Sequence, residues 1–190
     1  MKKRRLAPLT AALLSCVLLL SACGSRSGGD SLSTTQEGEG VLSHFTTVDL
    51  DDTPVDASIF ADYRLTMINV WATYCRPCLS EMPELGELNK EYASQGVRVV
   101  GIVSDALNRD GSVSKSQLAT AKELVSNTRA DYLHILPSAD LNELLSQIDS
   151  VPTTFFVDST GRQVGNAYLG AKSKAKWAEI IEDTLSEVKA

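Results

Sequence analysis

The chain has 190 residues, of which 18 are basic and 24 are acidic, and its formal net charge at pH 7 is −6. It has no basic stripe, which argues against a nucleic-acid-binding protein. Its length suits one domain of ordinary size behind a short leader.

The first 22 residues have the layout of a signal peptide. Basic residues in Met1–Arg5 precede the short apolar run Ala11–Leu20, which is too short for a comfortable membrane span. The run ends in Leu20-Ser21-Ala22-Cys23, which resembles the bacterial lipobox. This resemblance implies cleavage before Cys23 and lipid anchoring of that cysteine, with an ordinary secretory signal as the alternative. Removing four of the 18 basic residues leaves 14 against 24 acidic ones, a net charge of −10.

The mature chain divides into a tether and one domain. Residues 23–40 are rich in Gly, Ser, Thr and Glu with almost nothing apolar, which predicts a flexible linker. Residues 41–190 form the predicted domain, without an internal repeat.

Apolar periodicity predicts alternating strands and helices in this domain. Leu65–Trp71 is a largely apolar run without a breaker, typical of a central strand buried on both faces. Helical spacing predicts a helix over Cys75–Ala93, with a kink at Pro83, and Val97–Val103 is the next strand. Strand, helix and strand in this order imply a right-handed crossover into a parallel sheet. The other predicted elements are a hairpin of His44–Leu50 and Thr53–Val55, a surface loop at Asn108–Ser116, helices at Gln117–Asn127 and Asp140–Gln147, a short strand at Leu133–Leu136, an antiparallel hairpin of Thr153–Val157 and Gln163–Leu169, and a closing helix at Lys174–Val188.

The cysteines indicate thiol chemistry. Cys16 leaves with the leader and Cys23 would carry the lipid, so Cys75 and Cys78 remain. A bridge between them closes a tiny loop and adds little stability, so the pair is better explained by reactivity. It lies where the buried strand ends and the helix begins, where free amides and the helix dipole stabilise a Cys75 thiolate. Cys78, one turn further, is close enough to resolve a mixed disulfide, and Pro77 suits the first helical turn.

The segment Trp71–Leu85, WATYCRPCLSEMPEL, resembles the active site of thioredoxin-like proteins. Its Glu81-Met82-Pro83 extension is similar to the membrane-anchored TlpA/ResA branch, and the segment Val151–Phe155, VPTTF, matches the family's cis-proline loop. The resemblance covers about residues 41–190. It implies an α/β thioredoxin fold: a central mixed β-sheet flanked by helices, an N-terminal β-hairpin, and an insertion between the CxxC helix and the cis-proline strand.

The resemblance also implies roles for particular residues. Cys75 and Cys78 form the redox-active disulfide. Pro152 is expected in cis, so that the amide and carbonyl of Val151 face a bound substrate. Trp71, Arg76 and Pro77 complete the expected substrate-binding surface.

A proton relay is expected at Glu81. Cytoplasmic thioredoxins have a buried aspartate six residues before the first cysteine, where this chain has Asn69, which cannot accept a proton at physiological pH. The TlpA/ResA branch has a glutamate three residues after the second cysteine, and Glu81 shares that helix face with Cys78. The alternative is a solvated helix glutamate. His44 and His134 lack ligand spacing and are interpreted as ordinary surface or edge residues.

The leading hypothesis is an extracytoplasmic, lipid-anchored thiol–disulfide oxidoreductase that reduces exported proteins. The resemblance implies a role in apocytochrome c maturation or in repair of oxidised envelope proteins. Its implied partners are disulfide-bearing exported proteins and a membrane thiol-electron carrier similar to CcdA or DsbD. We expect a monomer without cofactor, metal or nucleic acid.

Three other functions compete with this hypothesis. A disulfide-forming oxidase on the same fold is the runner-up, because Arg76 beside the thiolate favours the reduced form, although one exposed cation does not decide the direction. A thiol peroxidase is disfavoured, because Ala72 and Ile68 stand where peroxiredoxins have threonine and proline. A copper chaperone is disfavoured by the two-residue cysteine spacing and the lack of a suitable histidine.

Overall fold

Two seven-residue strands form the middle of the sheet. The computed structural model describes residues 40–188, and within them β3 (Leu65–Trp71) is buried along its whole length beside the parallel strand β4 (Val97–Val103). Both strands have the bounds that the sequence predicts. The helix α1 (Arg76–Glu91) connects them. Pro83 lies within this helix, and the kink expected there stays a prediction.

Three further strands complete the sheet, whose order is β5-β4-β3-β6-β7. β5 (Leu133–Ile135) is parallel to β4, whereas β6 (Thr153–Val157) is antiparallel to β3, and β7 (Gln163–Leu169) is antiparallel to β6. The sheet is therefore mixed, as predicted. The connection from β4 to β6 carries α2 (Lys115–Thr128), β5 and the short helix α3 (Asn142–Ser146), at the position of the predicted insertion.

The two faces of the sheet carry separate cores, because successive side chains of a strand point to opposite faces. Met67 of β3 belongs to the core shared with α1 and α4 (Lys174–Glu187). Ile68 belongs to the opposite core, which includes residues of the N-terminal hairpin and α3. That hairpin pairs β1 (Thr46–Val48) with β2 (Pro54–Asp56), as the sequence predicts.

No helix within residues 40–188 is both long and apolar enough to cross a membrane. The predicted leader, most of the linker, and Cys23 lie outside the described residues.

Candidate active site

A disulfide joins Cys75 and Cys78 at the carboxyl edge of the parallel strands. The S–S distance is 2.04 Å, and the two Cα atoms are 5.3 Å apart. A tight turn leads from β3 to the pair, since the amide of Cys75 donates to the carbonyl of Ala72 at 3.0 Å. Cys75 is 5% exposed and Cys78 is fully buried. Cys75 is therefore the sulfur that a partner reaches first.

Cys75 caps the N-terminus of α1. Its Sγ accepts a hydrogen bond from the amide of Cys78 at 3.3 Å. This amide belongs to the set that a helix N-terminus leaves without an intrahelical partner. After reduction, the same amide and the helix dipole stabilise a thiolate on Cys75. Arg76 and Pro77 are exposed and border the pair on its solvent side.

The loop before β6 lies against Cys75. The Val151–Pro152 peptide bond is cis, and the carbonyl oxygen of Val151 is 3.5 Å from Cys75 Sγ. The carbonyl of Pro152 accepts a hydrogen bond from the amide of Gly170 at 2.9 Å, which ties this loop to the end of β7. The backbone of the cis-proline loop is thus held next to the reactive sulfur.

Two large apolar side chains are exposed near the pair. Tyr74 directly precedes Cys75 and is 74% exposed, while Leu169, which pairs with Thr153 in the sheet, is 62% exposed. Exposed apolar groups of this kind mark interaction surfaces when they cluster at a site. Trp71, which the resemblance assigns to the substrate-binding surface, is fully buried and packs beneath the pair instead.

The Glu81 carboxylate is buried, so the alternative of a solvated helix glutamate is wrong. Glu81 is 2% exposed. Its Oε2 accepts hydrogen bonds from Trp177 Nε1 at 3.0 Å and from the amide of Lys172 at 3.1 Å. Burial raises the pKa of Glu81 above its ordinary range, although these donors act in the opposite direction. Within residues 40–188, none of its hydrogen bonds reaches either cysteine sulfur.

Asn69 orients this carboxylate from the sheet. Its Nδ2 donates to Glu81 Oε1 at 3.1 Å and to Thr154 Oγ1 at 3.0 Å, and both side chains of the Asn69–Thr154 pair are fully buried. Asn69 Oδ1 has no hydrogen-bond partner among the described residues. At this site the side-chain amide of Asn69 therefore comes from β3, and the carboxylate of Glu81 comes from α1.

His134 is an edge-strand residue, as interpreted, but its burial contradicts the alternative of a surface residue. It lies on the edge strand β5 but is only 4% exposed, whereas His44 is exposed. His134 Nδ1 accepts a hydrogen bond from Trp71 Nε1 at 3.2 Å, and Nε2 lies 3.2 Å from the carbonyl of Ala130. These two partners require a neutral ring with its hydrogen on Nε2. Burial lowers the pKa of His134 to about 4, in agreement with a neutral ring.

Sequence reasoning missed three residues of this site, namely His134, Trp177 and Asp105. Trp177 is recognisable in the sequence only as a core residue of the closing helix. Asp105, by contrast, is the second residue after β4, and its carboxylate accepts hydrogen bonds from the amide and hydroxyl of Thr73 in the turn before Cys75. The carboxyl ends of adjacent parallel strands lie at one edge of a sheet. That placement was a readable signal for a polar group near Cys75.

Comparison with known proteins gives a family. The redoxin family model matches residues 29–179, which is more than half of the chain. Among curated relatives, the thiol-disulfide oxidoreductase ResA of Oceanobacillus iheyensis is 33% identical over 100 residues, covering 50% of this chain and 44% of the relative. ResA of Geobacillus kaustophilus is 28% identical over 131 residues, covering 68% of this chain and 67% of the relative. The chain thus spans less than half the length of the first relative.

Solved structures share the fold. A thioredoxin-family thiol:disulfide interchange protein of Chlorobium tepidum has a TM-score of 0.60 and 26% identity, covering 75% of this chain and 93% of that chain. A secreted disulfide oxidoreductase of Mycobacterium tuberculosis has a TM-score of 0.55 at 17% identity, covering 77% and 97%, and supports the fold alone. The chain therefore belongs to the redoxin family and is a ResA/TlpA-like member of the thioredoxin superfamily.

Proposed function

We propose that the protein is a thiol–disulfide oxidoreductase that reduces disulfides of exported proteins outside the cytoplasm. The observation that carries this proposal is the Cys75–Cys78 disulfide at the N-terminus of α1, with Cys75 against the cis-proline loop. The names of the curated relatives, which are thiol-disulfide oxidoreductases, support the reaction class. The signal-peptide layout and the lipobox at Cys23 support the location.

The reaction is a two-electron exchange of sulfur bonds. In the dithiol form, the Cys75 thiolate attacks one sulfur of the substrate disulfide, forming a mixed disulfide and releasing the other substrate sulfur as a thiolate. The Cys78 thiolate then attacks Cys75 Sγ, which re-forms the Cys75–Cys78 bond and releases the second substrate sulfur. The substrate gains two electrons and, in total, the two protons that the dithiol gives up.

The surface around Cys75 suits an extended polypeptide. We assign the backbone groups of Val151 and Pro152 to pairing with the substrate's main chain, because their loop touches Cys75 Sγ. Main-chain pairing provides affinity without strong sequence preference. The exposed Arg76 and Pro77 would border the same substrate segment, with Trp71 supporting the pair from beneath.

Glu81 is proposed to move the proton of Cys78. The resolving thiol must lose its proton before it attacks, and a carboxylate with a raised pKa is a suitable base near neutral pH. Glu81 follows Cys78 by three residues on α1 and is buried like it. Proton transfer in the dithiol would be direct or through one water molecule.

Regeneration of the dithiol requires an electron donor. We propose a membrane thiol-electron carrier similar to CcdA or DsbD, which a lipid at Cys23 would keep within reach. Apocytochromes c and oxidised exported thiol enzymes are the proposed substrates. A disulfide-forming oxidase would run the same exchange in the opposite direction.

Two measurements test this proposal. The wild-type protein should accelerate reduction of insulin disulfides by dithiothreitol, and Cys75→Ser should not; a wild-type protein without effect would contradict the oxidoreductase assignment. Rapid acid quench and thiol alkylation of cells then report the redox state of the pair. A reductase should be trapped mainly as the dithiol, whereas a mainly disulfide form would support the oxidase.

A further inference from the structure

The carboxylate of Asp105 is bonded to the turn that presents Cys75. Both of its oxygens lie 3.1 Å from the amide nitrogen of Thr73, and Oδ2 accepts the Thr73 hydroxyl at 2.6 Å. Gln117 Nε2 at the start of α2 donates to Oδ2 at 3.0 Å and also reaches Thr73 Oγ1 at 3.2 Å. Asp105 is half-buried, as are Thr73 and Gln117. The Asp105 carboxylate therefore connects α2 to Thr73, which lies two residues before the reactive Cys75.

The position of Asp105 follows from the strand register. Trp71 and Val103 are paired at the carboxyl ends of the parallel strands β3 and β4. Ser104 continues this contact, because its amide and hydroxyl donate to the carbonyl of Trp71 at 2.8 and 2.9 Å. The next residue, Asp105, must therefore lie beside the chain that leaves Trp71. The contact is a consequence of the sheet rather than of a mobile surface loop.

The Asp105 carboxylate brings a negative charge without an ionic partner. All its hydrogen bonds in the described part of the chain come from neutral groups, and none of the ion pairs there includes it. A negative charge near Cys75 opposes its thiolate, and a positive charge such as Arg76 favours it.

The other charged and titratable groups come from the elements packed around the pair. α1 contributes Arg76, which is exposed, and Glu81, which is buried. From the β5 side, burial raises the pKa of Tyr132 and lowers that of His134, so both are neutral near pH 7. The backbone amide of Lys172 donates to Glu81, and the positive charge of Lys172 lowers the pKa of Glu81. Asp105 is thus the anion bonded directly to the Cys75 turn.

We propose that Asp105 is a positioning residue that holds the turn before Cys75 and makes the Cys75–Cys78 dithiol a stronger reductant. The proposal rests on the proposed oxidoreductase function. A destabilised thiolate destabilises the dithiol form, so the disulfide is favoured and electrons pass more readily to a substrate. Asp105 therefore offsets Arg76 and favours the reductase direction.

The test is the equilibrium with glutathione, in which the protein disulfide and two glutathione thiols give the protein dithiol and one glutathione disulfide. Asp105→Asn keeps the size of the side chain and removes its charge. We expect the equilibrium constant to rise about three- to tenfold, as for loss of a half-buried charge near a thiolate. The pH profile of Cys75 alkylation in the reduced protein should also move to lower pH. Asp110→Asn, an exposed acid in the same connection that bonds Ser112, should change neither.

A second variant separates charge from loosening of the turn. Thr73→Val keeps the Asp105 charge and the Thr73 amide donor, and it removes the hydroxyl that donates to Asp105 and accepts from Gln117. Its equilibrium constant should therefore not exceed the wild-type value. A rise equal to that of Asp105→Asn would overturn the charge effect, as would an Asp105→Asn constant at or below wild type. If Asp105→Asn does not fold, a rise in Thr73→Val alone overturns the proposal. A wild-type protein that does not exchange with glutathione at all would overturn the proposed function and this inference together.

Discussion

A row of buried residues crosses the sheet beneath α1. Its members are paired in successive strands, in the order Thr154, Asn69, Gly101 and His134. Three have polar side chains, and burying these costs free energy unless each finds a partner. Glu81 bonds Asn69 from above, and Trp71 reaches His134 across the glycine. The row therefore links the proposed proton relay to the packing beneath the cysteines.

Gly101 is required by the close approach of Trp71 and His134. A Cβ at this position would lie 2.3 Å from His134 Nδ1 and 3.1 Å from Trp71 Nε1. Gly101→Ala should therefore lower the free energy of unfolding by about 1–3 kcal/mol, the usual cost of overpacking. Urea unfolding followed by tryptophan fluorescence measures this loss. In a His134→Ala background, which makes room, the same substitution should cost less; an equal cost in both backgrounds would contradict the steric explanation.

Glu81 should give the stability of the protein a pH dependence. Because burial raises its pKa in the folded state, the folded protein binds this proton more tightly than the unfolded chain does. Stability from this group is complete below about pH 4.5, the ordinary pKa of glutamate, and is lost as the pH rises through the folded-state pKa. Glu81→Gln has no such proton. The unfolding free energy of wild type relative to this variant should therefore fall as the pH rises from 4.5.

Urea unfolding of both disulfide forms at a series of pH values measures this difference. Glutamine has nearly the same shape as glutamate. A flip of the Asn69 amide would turn its unpartnered Oδ1 towards the new NH2 group, so the glutamine could also be hydrogen-bonded. Glu123→Gln, at an exposed position of α2, is the matched control. A wild-type to Glu81→Gln difference that stays constant with pH would show that the buried carboxylate does not change its charge there.

At the level of elements, the strands could be predicted because local signals bound them. β3 and β4 are largely apolar segments, and β6 and β7 flank the turn Asp158–Gly161, so the predicted bounds agree with the structure. The helix after the cysteines was predicted over Cys75–Ala93 but ends at Glu91. Apolar spacing continues through Tyr92, which packs into the core beyond the helix end.

The partners across elements could not be predicted in the same way. The three-residue spacing of Cys78 and Glu81 predicts that they share a helix face, but their burial depends on how α1 and α4 pack on the sheet. His134 lies in a strand of only three residues, which is too short to show an alternation of apolar and polar residues. The sequence therefore gives no sign that His134 is buried. Such contacts arise from register and helix rotation, which only tertiary packing determines.

Helix α4 should tune Glu81 through Trp177. Its indole donates to Glu81 Oε2 at 3.0 Å, so Trp177→Phe would remove a donor that holds the pKa of this carboxyl down. We expect the pKa of Glu81 to rise further and the free energy of unfolding to fall by about 1–3 kcal/mol. Carboxyl NMR titration of Glu81 measures the first effect. Tyr92→Phe removes a different hydrogen bond to α4, from the Tyr92 hydroxyl to Glu182 at 2.8 Å, and should leave the Glu81 titration unchanged.

Two outcomes would contradict this coupling between the helices. If Trp177→Phe destabilises the protein but leaves the Glu81 titration at its wild-type position, the indole contributes packing only. A shift to lower pH would be equally contradictory, because loss of a donor to a carboxylate disfavours its charged form.

At the level of the whole molecule, the point where the described chain begins and the disulfide lie at opposite ends of β6. Leu42 donates from its amide to the carbonyl of Gly161 at 3.0 Å, so the chain enters the domain beside the β6–β7 turn. The cis-proline loop that contacts Cys75 is at the other end of this strand. The reactive edge is therefore the one away from the place where the chain enters the domain. If residues 23–40 form the predicted flexible linker, with a reach of roughly 20–25 Å, and Cys23 carries the proposed lipid, the domain is free to turn towards a membrane donor.

The two sulfurs differ in access, and this difference predicts which variant captures natural partners. Cys75 is 5% exposed and Cys78 is fully buried, so substrates should bond Cys75. Cys78→Ser removes the resolving thiolate, and a serine hydroxyl does not cleave a disulfide. This variant should therefore accumulate mixed disulfides in cells, visible on non-reducing gels and lost on reduction. Cys75→Ser should accumulate few or none, because its remaining thiol lies beneath the helix N-terminus.

The identity of the captured proteins then separates the proposed pathways. Adducts dominated by apocytochromes would indicate haem maturation, and a methionine sulfoxide reductase would indicate oxidative repair. The order of attack has its own criterion: equal trapping by Cys78→Ser and Cys75→Ser would mean that burial does not decide which sulfur reacts. Cys75→Ser/Cys78→Ser is the control for adducts through any other cysteine, since the predicted lipid would occupy Cys23. Bands that persist in this double variant come from chemistry outside the pair, and only the bands it lacks report the partners of Cys75.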